Sequence, residues 1–308
     1  MLILYIFGIS SDMIMRSGIS LLLVFLFYQT AGFSQVVEQV DTSSSETSAV
    51  KPADLADTLQ TAPADTLQPL TPMERIGDYK VVVQADTSAS LLGDREFNLI
   101  QAADKGQLKI VKFLVEKGVD VDATTVDGVT PLMYASQNGY TEIIEYLISQ
   151  GADVNATPDN NVTALIGAVR TGHYEAAEML LEAGAKVDAK DELELTSLMH
   201  ASAYNYPEIA DLLIEKGADT EAGDWFGTRP LMMAVYYDCY ETTQVLVAKG
   251  ADLNARDTFG FTALMIAAQH ADYDMAWLLL DKGADPRLRT KGGLHAIALA
   301  TLSQDEDI

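Results

Sequence analysis

Few side chains in this sequence could do catalytic or metal chemistry, and their spacing matches none of the common patterns. The 308 residues include four histidines and one cysteine, and none of these falls in an HExxH, CxxC or GxSxG motif. One cysteine excludes both an intrachain disulfide and a zinc site built on cysteine ligands. No GxGxxG motif or P-loop stands between a strand and a helix pattern. The sequence therefore predicts a protein that is not an enzyme, with no cofactor and no metal ion.

The isolated reactive residues have simple structural interpretations. Cys239 falls at the predicted start of a helix, where the pKa of a thiol can be lowered, but no basic residue is adjacent in sequence. We therefore expect an inert thiol. The acidic stretches 191–194 and 305–308 lack the spacing and the central glycine of a calcium loop, so we interpret them as solvated charge.

The charge of the chain limits the classes of partner. It carries 20 basic and 45 acidic residues, a net charge of −25. Such a field repels phosphate backbones and anionic lipid head groups. We therefore expect no nucleic-acid binding and no membrane-surface binding, and a basic or apolar patch on a protein partner is easier to accommodate.

The N-terminal residues have the order of an export signal. The uncharged apolar run 19–28 follows Arg16, and Gly32 and Ser34 occupy the −3 and −1 positions before Gln35. The run is shorter than the roughly 20 apolar residues that span a bilayer. Residues 1–34 are therefore predicted to be a cleaved signal peptide, which places the product in the periplasm or outside the cell. The alternative is an uncleaved anchor that uses residues 1–10 as extra apolar length.

Residues 35–93 have the composition of a spacer. They are rich in Thr, Ser, Asp and Pro, and three basic residues stand against nine acidic ones. Few large apolar side chains are present to offset the entropy of ordering the chain. We predict a disordered acidic linker, with a short linear motif for a partner as the alternative and a possible strand at 80–85.

From residue 94 onward the sequence repeats with a period of 33 residues, which is the mark of a repeat architecture. Glycines keep this period at Gly118, Gly151, Gly184, Gly217, Gly250 and Gly283. Leucines keep it at Leu132, Leu165, Leu198, Leu231 and Leu264.

The unit at 130–155 shows how each repeat should fold. Thr130 suits an N-cap, and Pro131 suits the first helical position, where its missing N–H costs nothing. Gly139 permits the left-handed turn that ends this first helix. An apolar stripe then predicts a second helix, closed by Gly151, and a polar turn extends outward as a finger. One unit cannot bury its apolar face alone, so the units must stack.

These motifs resemble the ankyrin repeat, above all TPLMYA at 130–135, GADVNA at 151–156, GADLNA at 250–255 and GADP at 283–286. The resemblance covers residues 94 to about 302 and implies a domain at 94–308. The implied fold is an all-α repeat solenoid of six full 33-residue repeats and a C-terminal half repeat, with hairpin-like fingers. The FSQ ending of the leader also resembles signal peptides of the Bacteroidetes group, so the chain looks like an exported bacterial ankyrin protein.

Ankyrin proteins usually bind partners through the finger tips and the concave face of the first helices. In repeats four to six these register positions carry large apolar or aromatic residues, which resemble a binding hot spot. The predicted partner-binding residues are Leu193, Leu195, Tyr204, Trp225, Phe226, Tyr236, Tyr237, Phe259, Phe261 and His270. Asp224, Asp238, Asp257 and Asp272 are predicted to form an acidic rim that favours Lys or Arg on the partner. The alternative is that neighbouring fingers pack these aromatics on one another.

In the same repeats Asn205, Asp238 and Ala271 replace the glycine between the two helices, through function or drift.

Taken together, the sequence predicts a monomeric, non-enzymatic protein–protein interaction module in the periplasm or outside the cell. A secreted effector or inhibitor, and an accessory factor for a periplasmic enzyme, are the alternatives.

Overall fold

A computed structural model of the chain describes residues 94–304. The predicted signal peptide (1–34), the predicted linker (35–93) with its possible strand, and residues 305–308 lie outside the described residues. Within 94–304 the chain forms thirteen helices, in which first and second helices alternate. The first helices are α1 (Asp94–Asp104), α3 (Pro131–Gln137), α5 (Ala164–Arg170), α7 (Ser197–Ala203), α9 (Pro230–Tyr236), α11 (Ala263–Gln269) and α13 (Ala296–Gln304). The second helices are α2 (Leu108–Glu116), α4 (Thr141–Ser149), α6 (Tyr174–Glu182), α8 (Pro207–Glu215), α10 (Tyr240–Ala248) and α12 (Tyr273–Asp281).

The helices stack as a solenoid. Each second helix packs against the first helix of its own repeat, and each first helix packs against the first helices of the neighbouring repeats. Six helix pairs followed by α13 agree with the predicted six repeats and a half. The all-α prediction is confirmed. The described fingers are tight turns rather than hairpins, because their only strand-like pairing is one isolated bridge between Lys190 and Thr196.

Side-chain caps start most of the first helices. The hydroxyl of Thr130 accepts a hydrogen bond from the Met133 amide at 3.3 Å, and Pro131 occupies the first turn, as predicted. Threonine caps α5, α7 and α11 in the same way. Arg229 stands at this position before α9 and provides no side-chain cap. Such a cap typically contributes about 1 kcal/mol of helix stability.

The repeating leucines form the spine of the core. At one register position of the first helix, all six full repeats bury the leucine side chain to 3% exposure or less. Each such burial stabilises the fold by roughly 1.5–3 kcal/mol relative to an exposed side chain. These residues are Leu99, Leu132, Leu165, Leu198, Leu231 and Leu264.

Backbone hydrogen bonds join the fingers to one another. The Thr258 amide donates to the Phe226 carbonyl at 2.8 Å, and the Lys291 amide donates to the Phe259 carbonyl at 2.8 Å. The Asp159 amide makes the corresponding bond to the Asp127 carbonyl at 3.0 Å. The tips of the fingers that these bonds join are therefore held at a fixed spacing, which determines how their side chains meet.

The type of residue allowed in the turn between the two helices depends on the size of the side chain that the next repeat places above it. In the third repeat Gly172 has φ +77°, and a Cβ built there would lie 2.9 Å from the Tyr206 ring. A Cβ at Gly139 would lie even closer to the His173 ring. In repeat four the smaller Cys239 lies above the turn, and Asn205 takes the glycine position. In repeat five Asp272 lies above the turn, and Asp238 takes the glycine position. Both turn residues have φ +56°. Glycine is thus required where a ring covers the turn, which accounts for two of the three exchanges.

Candidate protein-binding surface

The finger tips of repeats five and six carry a stacked aromatic pair. The rings of Phe226 and Phe259 lie 6.1 Å apart with an interplanar angle of 23°. The backbone bond from Thr258 to Phe226 holds the two fingers at this distance. Both side chains are only half-buried, so a ring edge stays accessible. Neighbouring fingers do pack their aromatics on one another, as the alternative reading expected, but the packing leaves the row at the surface.

Trp225 stands beside this pair. Its side chain is 41% exposed, although tryptophan is usually well buried in folded proteins. It occupies the second position of the finger turn, where the first and second fingers carry Val126 and Asp159. Trp225 therefore lies at the surface, and its role in partner binding stays a prediction.

A second aromatic row runs along the ends of the first helices. The ring of Tyr236 meets that of Tyr237 edge-on at 5.0 Å and that of His270 at 5.1 Å. The row therefore crosses from repeat five to repeat six. His270 is exposed and both tyrosines are half-buried against the core. In repeat four, Tyr204 stacks against Tyr206 at 6.1 Å.

Leu195 is not part of this surface, and its predicted role is wrong. Its side chain is 8% exposed. Phe261, at the same register position two repeats later, has the same backbone pairing within its finger but is only half-buried. Leu193, at the tip of the finger that contains Leu195, is half-buried. We define the aromatic surface as the remaining predicted residues: Leu193, Tyr204, Trp225, Phe226, Tyr236, Tyr237, Phe259, Phe261 and His270.

The predicted aspartate rim is largely structural. Asp224 and Asp257 each accept two backbone N–H bonds of their own finger turn at 2.8 Å. Burial raises the pKa of both carboxyls, against the opposing effect of these bonds. Asp272 caps α12 by accepting from the Met275 amide at 3.0 Å. Only Asp238 is exposed, and partial desolvation together with Asp272 and Glu241 raises its pKa. The rim is therefore a poor source of partner specificity.

The sequence did not indicate a buried polar pair behind the finger of repeat four. His200 Nε2 lies 2.9 Å from Asp191 Oδ2, and the two side chains are 2% and 5% exposed. Because a carboxylate only accepts, His200 donates from Nε2. The other oxygen of Asp191 accepts from the amides of Leu193 and Leu195. The only feature of the sequence that could have indicated this pair is His200 itself, because the same register position carries the apolar residues Met233 and Ile266 in the next two repeats.

Cys239 has the character of a core residue. Its side chain is 3% exposed, and burial is the main cause that raises the pKa of the thiol to about 11. The nearby carboxylates of Asp238 and Glu241 raise it further, although a backbone hydrogen bond from Asn205 opposes them. The thiol is therefore protonated at neutral pH, which agrees with the inert residue expected from the sequence.

The described part of the chain contains no group of three His, Cys, Asp or Glu side chains arranged to hold a metal ion. Over the same residues, no helix is long and apolar enough to cross a membrane. A groove between α6 and α8 is lined by Tyr174, Tyr206 and four acidic side chains.

The stacked helix pairs and outward fingers define the class of helical repeat solenoids. Residues 99–191 and 198–290 each match the family model for ankyrin repeats in three copies. The chain belongs to the ankyrin-repeat family, whose repeats generally serve as protein–protein interaction modules. It is similar to the crystal structure of the human ASB11 ankyrin repeat domain, with a TM-score of 0.61 and 27% identity. That match covers 67% of this chain and 94% of the other. A comparison with curated proteins finds no match.

Proposed function

We propose that this chain is an exported ankyrin scaffold that binds another protein through the aromatic surface of repeats four to six. The observation that carries the proposal is the pair of aromatic rows, one on the fingers and one on the first-helix ends. Each row crosses from one repeat to the next, and each keeps part of its rings accessible.

The ring contacts favour binding because they hold the surface in place before a partner arrives. Phe226 and Phe259 are stacked, and Tyr236 is held by both Tyr237 and His270. Ordering a free side chain on binding costs about 0.5–1.5 kcal/mol, and a pre-ordered ring avoids most of this cost. Aromatic side chains at the centre of an interface are also the usual hot spots.

The partner that fits this surface presents an apolar patch with a basic surround. The aromatic rings supply the apolar contact. The net charge of −25 attracts a basic protein over a long range and raises the rate of encounter. Because the finger aspartates are occupied by their own turns, we assign this steering to the field of the whole chain rather than to a local rim.

Export is the second part of the proposal, and it is supported by the apolar run 19–28 and the small residues before Gln35. The product would then act in the periplasm or outside the cell. The intact mass of the protein purified from its own host tests this directly. A chain that begins at Gln35 supports export with cleavage, whereas a chain that keeps residues 1–34 contradicts cleavage and favours the uncleaved anchor.

The binding site is tested by comparative capture with the full chain in its own host. The tagged wild type is compared with a surface variant that combines Trp225→Ser, Phe226→Ser and Tyr237→Ser. Ile110→Ser with Phe113→Ser is the matched control, because both residues are exposed apolar side chains on a second helix far from the aromatic surface. Helix content and the melting temperature establish that each variant is folded.

We expect one or more proteins to be retained by the wild type and by the control but lost at least about tenfold from the surface variant, which corresponds to about 1.4 kcal/mol. Equal capture by a folded surface variant would contradict the site. The identity of a retained partner would also separate an envelope scaffold from an effector, an inhibitor or an enzyme accessory factor.

A further inference from the structure

The second tryptophan of the chain lies on a different face of the solenoid. Trp277, on α12, is 72% exposed. Every earlier repeat has a charged or polar residue at this register position of its second helix. These residues are Lys112, Glu145, Glu178, Asp211 and Gln244. A polar surface position of the scaffold has therefore become tryptophan in the sixth repeat alone.

Trp277 belongs to a compact apolar stripe. Tyr273 is 69% exposed and Leu280 is 42% exposed, one turn before and one turn after it. Residues at i, i+4 and i+7 share one face of a helix. Met275 and Leu279, on the opposite face of α12, are fully buried. The stripe thus faces away from the core of its own repeat. In earlier repeats, apolar residues at the position of Leu280 are partly buried against the core, whereas no described second helix follows α12.

The neighbouring α13 adds a fourth exposed side chain. Ile297 holds the register position at which the six full repeats bury leucine to 3% exposure or less, yet it is 66% exposed. No described second helix packs over α13, so nothing in residues 94–304 covers Ile297. We define the terminal apolar face as Tyr273, Trp277, Leu280 and Ile297.

The charge around this face differs from that of the rest of the array. Residues 94–271 carry 28 acidic and 12 basic side chains, whereas residues 272–304 carry four of each, and three more acidic residues follow at 305–307. Asp281 and Lys282 also neutralise one another at the end of α12, at 3.1 Å. Among residues 94–304, the part that carries the terminal apolar face therefore opposes the approach of a second copy least.

In place of the monomer expected from the sequence, we propose that the terminal apolar face pairs with the same face of a second copy of this chain. The stripe is suited to a twofold pair of antiparallel α12 helices, because Tyr273 and Leu280 stand at nearly equal distances on either side of Trp277. In that pair Trp277 meets its counterpart near the axis, and Tyr273 of one copy meets Leu280 of the other. Such an isologous interface uses one self-complementary patch and closes at two subunits.

The dimer would change how the chain binds a partner, and its dissociation constant would depend on the salt concentration. It holds two aromatic surfaces in one particle, which raises the apparent affinity for a partner with two sites without any new contact. The remaining charge of the array opposes association through bulk solvent, and salt screens it over about 8 Å at physiological ionic strength. Association is therefore expected to strengthen as salt is added.

The experiment measures the mass of the full chain by sedimentation from about 1 to about 200 µM, which brackets moderate dissociation constants. Trp277→Glu is the test variant, because glutamate is the residue of repeats two and three at this position. Trp225→Ser, on the aromatic surface, is the control. We expect a monomer–dimer equilibrium for the wild type and the control, and a dissociation constant at least about tenfold weaker for Trp277→Glu at an unchanged melting temperature.

Fluorescence gives an independent readout at the same face. In Trp225→Phe the only tryptophan is Trp277. Its emission should shift to the blue as the chain is concentrated, because the indole leaves water. A wild type that stays monomeric at the highest concentration, or a dimer that Trp277→Glu leaves unchanged, would overturn the proposal. If the wild type stays monomeric, the terminal apolar face would instead bind a segment of this chain or another protein. Neither result tests partner binding through the aromatic surface.

Discussion

Two buried polar residues, Tyr134 and His200, hold the same register position two repeats apart. They are 5% and 2% exposed. His200 has a carboxylate partner because the finger before it begins with Asp191. The corresponding residue before Tyr134 is Thr125, whose hydroxyl is engaged by the Val129 amide at 3.1 Å. The Tyr134 hydroxyl is therefore buried without a hydrogen-bond partner among the described residues.

The burial of Tyr134 makes the fold sensitive to alkali. Desolvation raises the pKa of Tyr134 from 10.0 to about 12, and the nearby charges of Asp104 and Asp127 contribute. The unfolded chain loses this proton near its ordinary value, before the folded chain does. The stabilising contribution is therefore complete below the unfolded pKa and is lost as the pH rises through the folded one.

Tyr134→Phe tests this account. At neutral pH we expect the variant to be as stable as the wild type, or more stable by up to about 1 kcal/mol, because an unpaired buried hydroxyl is removed. Urea unfolding at neutral pH and at several values above pH 10 measures the difference. The wild type should lose stability relative to the variant as the pH rises above 10. Parallel stability profiles would contradict a buried, unpaired hydroxyl.

At the scale of the helix pair, the turn between the two helices is matched to the residue of the next repeat above it. Gly172 lies beneath the Tyr206 ring. In the next repeat Asn205 takes the turn beneath Cys239, and its amide reaches Glu241 at 2.7 Å while its carbonyl oxygen accepts from Thr242. Replacing the ring with a small residue therefore lets the turn residue help to hold the following helix.

Gly172→Asn should destabilise the array, because its side chain would meet the Tyr206 ring while Asn itself tolerates the left-handed conformation. We expect a loss of about 1–3 kcal/mol, the usual cost of overpacking. Combining it with Tyr206→Cys, which reproduces the arrangement of the next repeat, should cost less than the sum of the two single changes. Denaturant unfolding of the four proteins of this cycle measures the coupling. Additive effects would contradict the size exchange.

At the scale of the helix pair, part of the structure could be predicted from the sequence and part could not. The 33-residue period and the threonine caps report on backbone register, which is local, so the helix pairs and their stacking were predictable. Register does not determine side-chain direction within a turn. Leu195 was therefore misassigned to the surface, and Asp224 and Asp257 were assigned to a rim although they close their own fingers. The pairing of His200 with Asp191 depends on a contact between finger and helix that periodicity does not encode.

At the scale of the whole molecule, the chain places its two tryptophans on two separate surfaces. Trp225 stands on a finger beside the aromatic rows, and Trp277 stands on the outer face of a second helix. Both side chains are exposed, so a substitution at either one is expected to leave the packing of the other surface intact. The partner-binding role and the proposed self-association can therefore be separated by single substitutions.

The most direct test of the central claim is photo-crosslinking in the native host from position 225. A photo-reactive phenylalanine analogue replaces Trp225 in the full chain, and in a control it replaces Gln244, an exposed residue of α10 on the second-helix side. Mass spectrometry then identifies any covalent adduct. We predict a discrete adduct with a second protein from position 225 and none from position 244. An adduct from position 244 alone would contradict binding through the aromatic surface.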